Sequence, residues 1–422
     1  MTTQSDSKLP FSRITNLLDT PANDVWRIHY EALKRIERGE EVTLLSVGDP
    51  DFNTPGDITR HLVERINAGR THYSPAAGER VLREALATLE CTTARRHSTA
   101  RRHLTARRDS PPERHFSYEQ FTIFPGATSA LYALLTCMLD PGDEIVVPDP
   151  MYLGYQGILT AVQARTVPVA LDLSQDALLD VAHIEAALTP RTKAVLINTP
   201  GNPCGNIIAP ETLKHLAGIC RERNIWLICD EVYSLITFDT PHVSLLNSAE
   251  HLDNIAVVDG LSKSHAMSGW RIGWVVAEKK LSKALERFSA ASLFGCSQFV
   301  QDGAAFALQT DTEHVEEMRV EYQKRRDYMI DRLAGFDELG YIRPAGGMFV
   351  MVDASQITSD GTAFAELLLA KAGISSIPGD GCGAATRSHV RFGLTQNVEE
   401  LRKAMDRLAA ALPEICQALD NG

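Results

Sequence analysis

Short runs of apolar and β-branched residues alternate with longer stretches of helical periodicity through the middle of the chain. Periodicity over residues 129–139 and 210–223 predicts two crossover helices, the first of which ends at a turn, Asp-Pro-Gly-Asp, over residues 140–143. This alternation predicts a largely parallel sheet with helices on both faces. The predicted strands of that sheet are residues 144–147, 194–198, 225–229, 255–258 and 270–276.

Beyond about residue 300 the pattern changes to long charged helices around two short strands. This mixture predicts a second, smaller α+β domain. Its predicted helices cover residues 313–333, 362–372 and 398–412, and its predicted strands cover residues 348–353 and 389–394.

The composition is that of an ordinary globular enzyme, with 422 residues, 44% hydrophobic and 23% charged, which is enough for about two or three domains. No stretch approaches the roughly 18 uninterrupted apolar residues that a spanning helix needs, and the first ten residues are polar. We therefore expect a cytoplasmic protein without a membrane anchor. None of the eight cysteines lies in a C-x-x-C pair, which indicates reduced thiols and no metal site.

The net charge of −12 argues against a nucleic-acid partner, because a polyanion is attracted to a basic surface. One segment departs from this balance, since residues 91–115 contain seven arginines and a threefold Thr-Ala-Arg-Arg repeat. The segment is too polar for a core and its repeat is too short for a solenoid, so we expect a solvated surface insertion. The alternative is a docking site for a polyanion or a partner.

Polar residues that carry chemistry follow three of the predicted strands. Asp230 and Lys263 each come after such a strand, and Asn202 lies in the turn Thr-Pro-Gly-Asn-Pro-Cys-Gly over residues 199–205. Because ligands bind at the carboxyl ends of the strands in α/β sheets, we expect the acid and the lysine to meet at one edge. The proline and glycine residues of the turn would hold Asn202 over the same crevice.

A phosphate-binding site is predicted next to this edge. Residues 124–130, Phe-Pro-Gly-Ala-Thr-Ser-Ala, open a helix whose free N–H groups and positive dipole end favour a phosphate. Arg271, eight residues after Lys263, adds a fork-shaped donor for the same group. A phosphate seat, a lysine and a carboxylate together suit pyridoxal 5′-phosphate, because the lysine forms a Schiff base with its aldehyde and the carboxylate keeps its ring nitrogen protonated.

Over about residues 40–395 the chain resembles the class I/II aminotransferases, which are fold-type I pyridoxal-phosphate enzymes. Residues 262–273, Ser-Lys-Ser-His-Ala-Met-Ser-Gly-Trp-Arg-Ile-Gly, resemble the cofactor-lysine signature of the family, and Asp-Glu-Val-Tyr over residues 230–233 resembles its ring-nitrogen motif. The resemblance implies an α/β fold, with a large α/β/α domain around a mostly parallel sheet and a smaller α+β domain. It implies an N-terminal segment (1–55) packing with the small domain, a large cofactor-binding domain (56–300) that carries the insertion, and a small domain (301–422).

The resemblance also implies roles for the residues that contact the cofactor ring. Lys263 would form the Schiff base and then move the proton between the substrate Cα and the cofactor. Asp230 would pair with the pyridinium nitrogen, while Tyr233 and Asn202 would donate hydrogen bonds to the phenolic oxygen. Tyr152 would stack on the ring.

Other matching residues would bind the phosphate and the substrate. Arg391, in Val-Arg-Phe-Gly-Leu, would grip the substrate α-carboxylate, with Gly48 and Asn202 beside it. Tyr73 matches a tyrosine that reaches the phosphate of the neighbouring subunit, which implies a homodimer with shared active sites. The residues that would hold the phosphate within one chain are Ala127, Thr128, Ser262 and Arg271.

Two positions depart from the family pattern. Gly260 stands where the family often has a serine, so one phosphate donor is absent there. Cys204 stands where threonine is usual in the Asn-Pro-Thr-Gly turn, a change that should leave Asn202 in place.

The implied reaction is transamination from an L-amino acid to a 2-oxo acid such as pyruvate by a ping-pong mechanism. Residues 289–299 contain no arginine for a dicarboxylate side chain, and residues 44–52, 262–267 and 346–353 are most like those of arginine:pyruvate aminotransferases. Arginine or another basic or neutral amino acid is therefore the expected donor. A carbon–sulfur β-lyase on the same fold and a non-catalytic pyridoxal-binding sensor are the alternatives, although the sensor would need a fused DNA-binding module that about 40 leading residues are too few to form.

Overall fold

The structure is a computed structural model that describes residues 11–18, 25–90, 115–310 and 313–420. The Arg-rich repeat lies outside the described residues, so its role stays a prediction. In the described part of the chain, no helix is both long and apolar enough to cross a membrane.

The largest sheet has seven strands in the order β2-β8-β7-β6-β5-β3-β4. The pairs among β3 to β7 are parallel, while β8 runs antiparallel to both of its neighbours, β2 and β7. The predicted α/β fold with a mostly parallel sheet is therefore confirmed. The strands are β2 (Phe121–Phe124), β3 (Glu144–Asp149), β4 (Arg165–Ala170), β5 (Thr192–Asn198), β6 (Trp226–Asp230), β7 (Ile255–Gly260) and β8 (Gly273–Ala277).

Fourteen α-helices accompany the strands in the described residues. Before the end of the large sheet they are α1 (Arg13–Leu17), α2 (Val25–Glu37), α3 (Gly56–Asn67), α4 (80–90), α5 (Ala127–Met138), α6 (Gly154–Ala161), α7 (Val181–Ala187), α8 (Pro210–Glu222) and α9 (Leu245–Ser248). After it they are α10 (Lys279–Ser292), α11 (Gln298–Gln309), α12 (Glu313–Leu333), α13 (Gly361–Leu367) and α14 (Val398–Asp420).

Two predicted boundaries were wrong by three residues or more, and one predicted helix changes its type along its length. The last strand of the large sheet begins at Gly273, three residues later than predicted, because Arg271 adopts a left-handed conformation (φ 53°) that ends any extended run before it. The predicted helix over residues 362–372 is α13 followed by a π-helical turn, Leu368–Ala372. Helix α14 continues past Pro413 to Asp420, since its apolar face still buries Ile415.

Both faces of the large sheet are buried, which explains why its strands read as continuous apolar runs. In β5, Val195 and Ile197 join the core cluster on one face, while Ala194 and Leu196 join the cluster on the other. Successive side chains of a strand point to opposite faces, so two apolar cores require apolar residues at every position.

The second sheet is antiparallel, with the order β12-β13-β10-β9. Its core cluster also contains residues of α12, α13 and α14. Strand β1 pairs in parallel with β11, so the segment that precedes α3 is joined to the C-terminal part of the chain. The strands are β1 (Thr43–Leu44), β9 (Gly340–Ile342), β10 (Phe349–Asp353), β11 (Ile374–Ser375), β12 (Ile377–Pro378) and β13 (His389–Gly393).

Two glycines lie in close contact with neighbouring backbone, and one of them, Gly273, allows the start of α5 to approach the large sheet. Gly260 and Gly273 lie opposite each other in the β7–β8 ladder. A Cβ on Gly273 would lie 2.5 Å from the Ala127 amide nitrogen, and one on Gly260 would lie 2.8 Å from the Ile272 carbonyl oxygen. A serine at position 260 therefore has no room, and the N-terminus of α5 is held beside the end of β7.

Gly273→Ala tests this packing. Its methyl group must push strand and helix apart, so we expect the free energy of unfolding to fall by about 1–3 kcal/mol, as is typical of overpacking. The control is Gly218→Ala in α8, where an added Cβ meets nothing within 4 Å. That change should stabilise the protein by roughly 0.5–1 kcal/mol. Chemical denaturation measures both variants, and equal stabilities would contradict the proposed close approach.

Candidate active site

A cavity of about 470 Å³ opens where β5, β6 and β7 end. Eleven of the twelve residues singled out in the sequence line it, although they come from seven separate stretches of the chain. Those residues are Gly48, Ala127, Thr128, Tyr152, Asn202, Asp230, Tyr233, Ser262, Lys263, Arg271 and Arg391.

Tyr73 is the predicted site residue that does not line this cavity. Its side chain is 80% exposed, and its ring packs edge-on against Phe294 with 4.8 Å between the ring centroids. It lies beside a separate open hollow formed by residues 71–74 and 293–299. Within one chain, Tyr73 therefore makes no contribution to the site.

Lys263 lies at the floor of the cavity with a partly buried amine. Its Nζ donates a hydrogen bond to the carbonyl oxygen of Gly48 at 2.6 Å. The pKa of Lys263 is lowered to about 8, mainly by burial; the Asp49 charge opposes this shift, and the Arg391 and Arg271 charges contribute to it. A substantial fraction of the amine is therefore neutral at mildly alkaline pH, the form that attacks a carbonyl group.

Asp230 is held in place by two donors at the end of β6. Its side chain is buried, and its carboxylate accepts hydrogen bonds from the Tyr155 hydroxyl at 2.7 Å and from the Val232 amide at 3.2 Å. Burial raises the pKa of Asp230 to about 6, and these hydrogen bonds oppose the rise. An acid of this kind is well suited to pair with a cationic ring nitrogen, because the pair relieves its desolvation.

Tyr155 is a site residue that the sequence analysis missed. It lies three residues after Tyr152 in the first part of α6, and the two rings pack edge to face with 5.3 Å between centroids. A second tyrosine one helical turn from the predicted ring-stacking residue was the available signal. Its contact with Asp230 joins residues 75 positions apart, so the sequence pattern alone did not reveal it.

Arg391 lies in β13 of the antiparallel sheet and is only 2% exposed. It donates hydrogen bonds to Asn202 Oδ1 at 2.9 Å and to the Ser46 carbonyl oxygen at 3.2 Å, and its guanidinium group lies 4.0 Å from the Phe349 ring centroid. Its Nε has no partner among the described residues. A buried guanidinium without an acidic partner is a binding group for an anionic ligand.

Asn202 connects Arg391 to the cofactor-facing side of the cavity. Its amide nitrogen binds Asn198 Oδ1 at 2.7 Å, and its Nδ2 lies 3.5 Å from the Tyr233 hydroxyl. Cys204, two residues later, is fully buried and leaves Asn202 in the cavity lining. Asn202 and Tyr233 thus present two neighbouring hydrogen-bond donors.

The start of α5 and Arg271 form an anion cradle. Gly126 precedes the helix with a φ of +86°, and a Cβ there would lie 2.4 Å from Arg271 Nη2. Arg271 Nη1 donates to the Ser268 carbonyl oxygen at 2.8 Å, which orients the guanidinium group over the helix N-terminus. Thr128 and Ser262 add hydroxyl groups to the lining.

The charges of the lining fit pyridoxal phosphate. Among the described residues, three cations (Lys263, Arg271 and Arg391) face two acids (Asp49 and Asp230). The excess positive charge suits a phosphate and a substrate carboxylate, and the buried acid suits a protonated ring. The lysine amine shares one cavity with these groups, as a Schiff-base lysine requires.

Comparison with known proteins agrees with this arrangement. The family model for aminotransferase class I and II matches residues 40–408. The chain is 40% identical to the arginine–pyruvate transaminase AruH of Pseudomonas aeruginosa, over 96% of this chain and 98% of that protein. It is 31% identical to a probable N-acetyl-LL-diaminopimelate aminotransferase of Bacillus subtilis, over 92% of this chain and 94% of that one. A single mutant of Thermus thermophilus aspartate aminotransferase superposes with a TM-score of 0.85 at 30% identity, covering 95% of this chain and 99% of that one.

Tyr155→Phe tests the role of the tyrosine beside Asp230. The change removes a hydrogen bond to the carboxylate, so the pKa of Asp230 should rise further. Such a bond contributes about 1.5–3 kcal/mol and one pKa unit is about 1.4 kcal/mol, which predicts a rise of about one to two units.

The higher pKa of Asp230 should shift the pH dependence of cofactor affinity in one direction. Because the ionised carboxylate is lost as the pH falls through its pKa, the acid limb of cofactor affinity should move to higher pH in Tyr155→Phe. Titration of the cofactor into the protein across the acid range measures it. Tyr132→Phe, on the exposed side of α5, is the control. Superimposable profiles for the two variants would rule out this role for Tyr155.

Proposed function

The chain belongs to the class I and II aminotransferases, and on that basis we propose that it transfers the amino group of a basic or neutral L-amino acid, such as arginine, to a 2-oxo acid such as pyruvate. It is an aminotransferase with pyridoxal phosphate as its cofactor. The observation that carries the proposal is the meeting in one cavity of Lys263, Asp230 and Arg391, whose Nε has no partner among the described residues. These are the groups needed for an amino group, a cationic ring and a carboxylate.

We propose that Lys263 binds the cofactor and then moves the proton at the substrate Cα. Pyridoxal phosphate, when bound, supplies an aldehyde that combines with amines and a ring that withdraws electrons from Cα. Lys263 fits the proton transfer because its pKa lies near 8, within reach of both proton uptake and release. Asp230 would keep the ring nitrogen protonated, and Tyr152 would pack against one face of the ring.

The remaining groups orient the two ligands. Arg391 binds the substrate α-carboxylate with two N–H groups, which fixes the direction of the Cα–H bond. Asn202 and Tyr233 would donate to the cofactor oxygen. Gly48 leaves room beside Phe349, whose ring would lie 2.2 Å from a Cβ at that position. The phosphate ligands would be Ala127, Thr128, Ser262 and Arg271.

The comparisons favour transamination over the two alternatives. Both relatives reported above are named as a transaminase or an aminotransferase, and each match covers nearly the whole length of the relative. A β-lyase would use the same lysine and acid but would release ammonia. A sensor would bind the cofactor without catalysis, whereas both relatives are named for the transfer of an amino group.

We also propose that the protein works as a homodimer with shared sites. Tyr73 and Phe294 expose 80% and 63% of their side chains on one surface, and exposed aromatic groups of this size favour an interface. A second copy placed there would give Tyr73 the role of contacting the neighbouring cofactor phosphate. Sedimentation velocity should give the mass of two chains, and a single 46.4 kDa species at all concentrations would contradict the proposal.

The donor and acceptor can be identified from the visible absorbance of the cofactor-loaded protein. We expect L-arginine without an acceptor to convert the visible band to that of the amine form of the cofactor, and pyruvate to restore it. Lys263→Ala is the control and should show neither change. Conversion by alanine or aromatic amino acids but not by arginine would overturn the donor, and ammonia release without an acceptor would overturn transamination in favour of a lyase.

A further inference from the structure

One charged residue of the cavity lining has no part in the proposed function. Lys263, Arg271, Arg391 and Asp230 are assigned to the cofactor or to the α-carboxylate. Asp49 is the remaining charged residue among the described residues that line the cavity. Its role concerns the part of the substrate beyond the α-carbon, and the inference that follows rests on the proposed function.

Asp49 lies next to the reacting centre in the chain. It follows Gly48, whose carbonyl oxygen accepts the hydrogen bond from Lys263 Nζ at 2.6 Å. Its negative charge opposes the lowering of the Lys263 pKa, so its field reaches the floor of the cavity. Asp49 is exposed at the mouth, in contrast to the buried Asp230.

The Asp49 carboxylate is free in the described part of the chain. It forms no hydrogen bond or ion pair there, whereas Asp51, two residues later, is bound through both oxygens by Arg325 at 2.7 and 2.9 Å. Arg325 also binds the Leu394 carbonyl oxygen, so Asp51 holds the loop against α12 and the second sheet. The two acids of one loop therefore differ, since Asp51 is structural and Asp49 is available to a ligand.

The lining near the mouth is suited to a long side chain. Trp26, Val47, Leu153 and Phe349 supply apolar surface to the same cavity as Asp49. Methylene groups pack favourably on such surface, and a carboxylate at its end can receive a guanidinium or ammonium group. An acidic donor would instead bring a second negative charge to Asp49, with no spare cation in the described lining to receive it.

We propose that Asp49 selects basic L-amino acid donors by pairing with their side-chain cation. Arg391 binds the α-carboxylate, Lys263 serves the α-amino group, and Asp49 binds the far end of the donor. Asp49 thus determines specificity and takes no part in moving the proton.

The test compares L-arginine with L-citrulline, which has the same length and shape but no charge. We expect the native protein to prefer arginine, and Asp49→Asn to lower the ratio of the two kcat/KM values about tenfold, the lower end for a charge-assisted pair because the carboxylate is exposed. Both donors need Lys263, so a disturbance of the lysine cancels in the ratio. The control is Asp331→Asn, the same change on the exposed surface of α12, which should keep the native ratio.

Equilibrium binding gives a second measurement that does not depend on turnover. The probe is 5-guanidinopentanoate, which has the carboxylate and the cation of arginine but no amino group to transfer, and pentanoate is its uncharged-tail counterpart. We expect calorimetry to show that Asp49→Asn weakens the first about tenfold relative to the second.

The outcomes separate this inference from the proposed function. If the native protein shows no absorbance change with any amino acid, the proposed function fails. If arginine and pyruvate react as proposed but Asp49→Asn keeps the native arginine-to-citrulline ratio and guanidinopentanoate affinity, the role of Asp49 is overturned alone. A lower arginine-to-citrulline ratio together with weaker guanidinopentanoate binding in Asp49→Asn, with both values unchanged in Asp331→Asn, supports the role of Asp49.

Discussion

Lys263 and Asp230 leave neighbouring strands at the same edge of the large sheet, and withdrawal from water shifts both pKa values toward neutrality, to about 8 and about 6. Each group alone would be costly to bury as an ion. A ligand that carries a cationic ring nitrogen and an aldehyde would offer a partner to each group. The nitrogen would pair with Asp230, and the aldehyde would combine with Lys263. The surrounding fold fixes both groups at this sheet edge and withdraws them from water, because parallel β5, β6 and β7 place them side by side.

The cavity is assembled from both parts of the fold, so its geometry depends on how they are joined. Close contact of Gly273 with Ala127 brings the anion cradle of α5 to the sheet edge. Arg391 comes from the antiparallel sheet and reaches Asn202 on the other side. Asp51 and Arg325 hold the intervening loop, in which Gly48 accepts the hydrogen bond from Lys263 and Asp49 lines the cavity. The site residues are thus spread along the whole chain, and the fold brings them together in one compact cavity.

Much of this could be predicted from sequence, because apolar runs followed directly by Asp230 and Lys263 carry the chemistry in local patterns. The start of β8 could not, since the left-handed conformation at Arg271 is set by its contacts with Ser268 and the α5 cradle. Tyr155 and Asp49 were missed because their importance lies in what they face across the cavity. The placement of Tyr73 outside the site follows from its exposure in one chain, and no pattern within one sequence indicates what covers it.

Binding of the cofactor by Lys263 can be tested directly by chemical trapping. Sodium borohydride reduction of the cofactor-loaded protein, followed by peptide mass spectrometry, converts the lysine-bound cofactor into a stable adduct on one residue. We expect a single pyridoxyl adduct on Lys263 and none in Lys263→Ala. An adduct on another lysine, or an equal yield in Lys263→Ala, would contradict it.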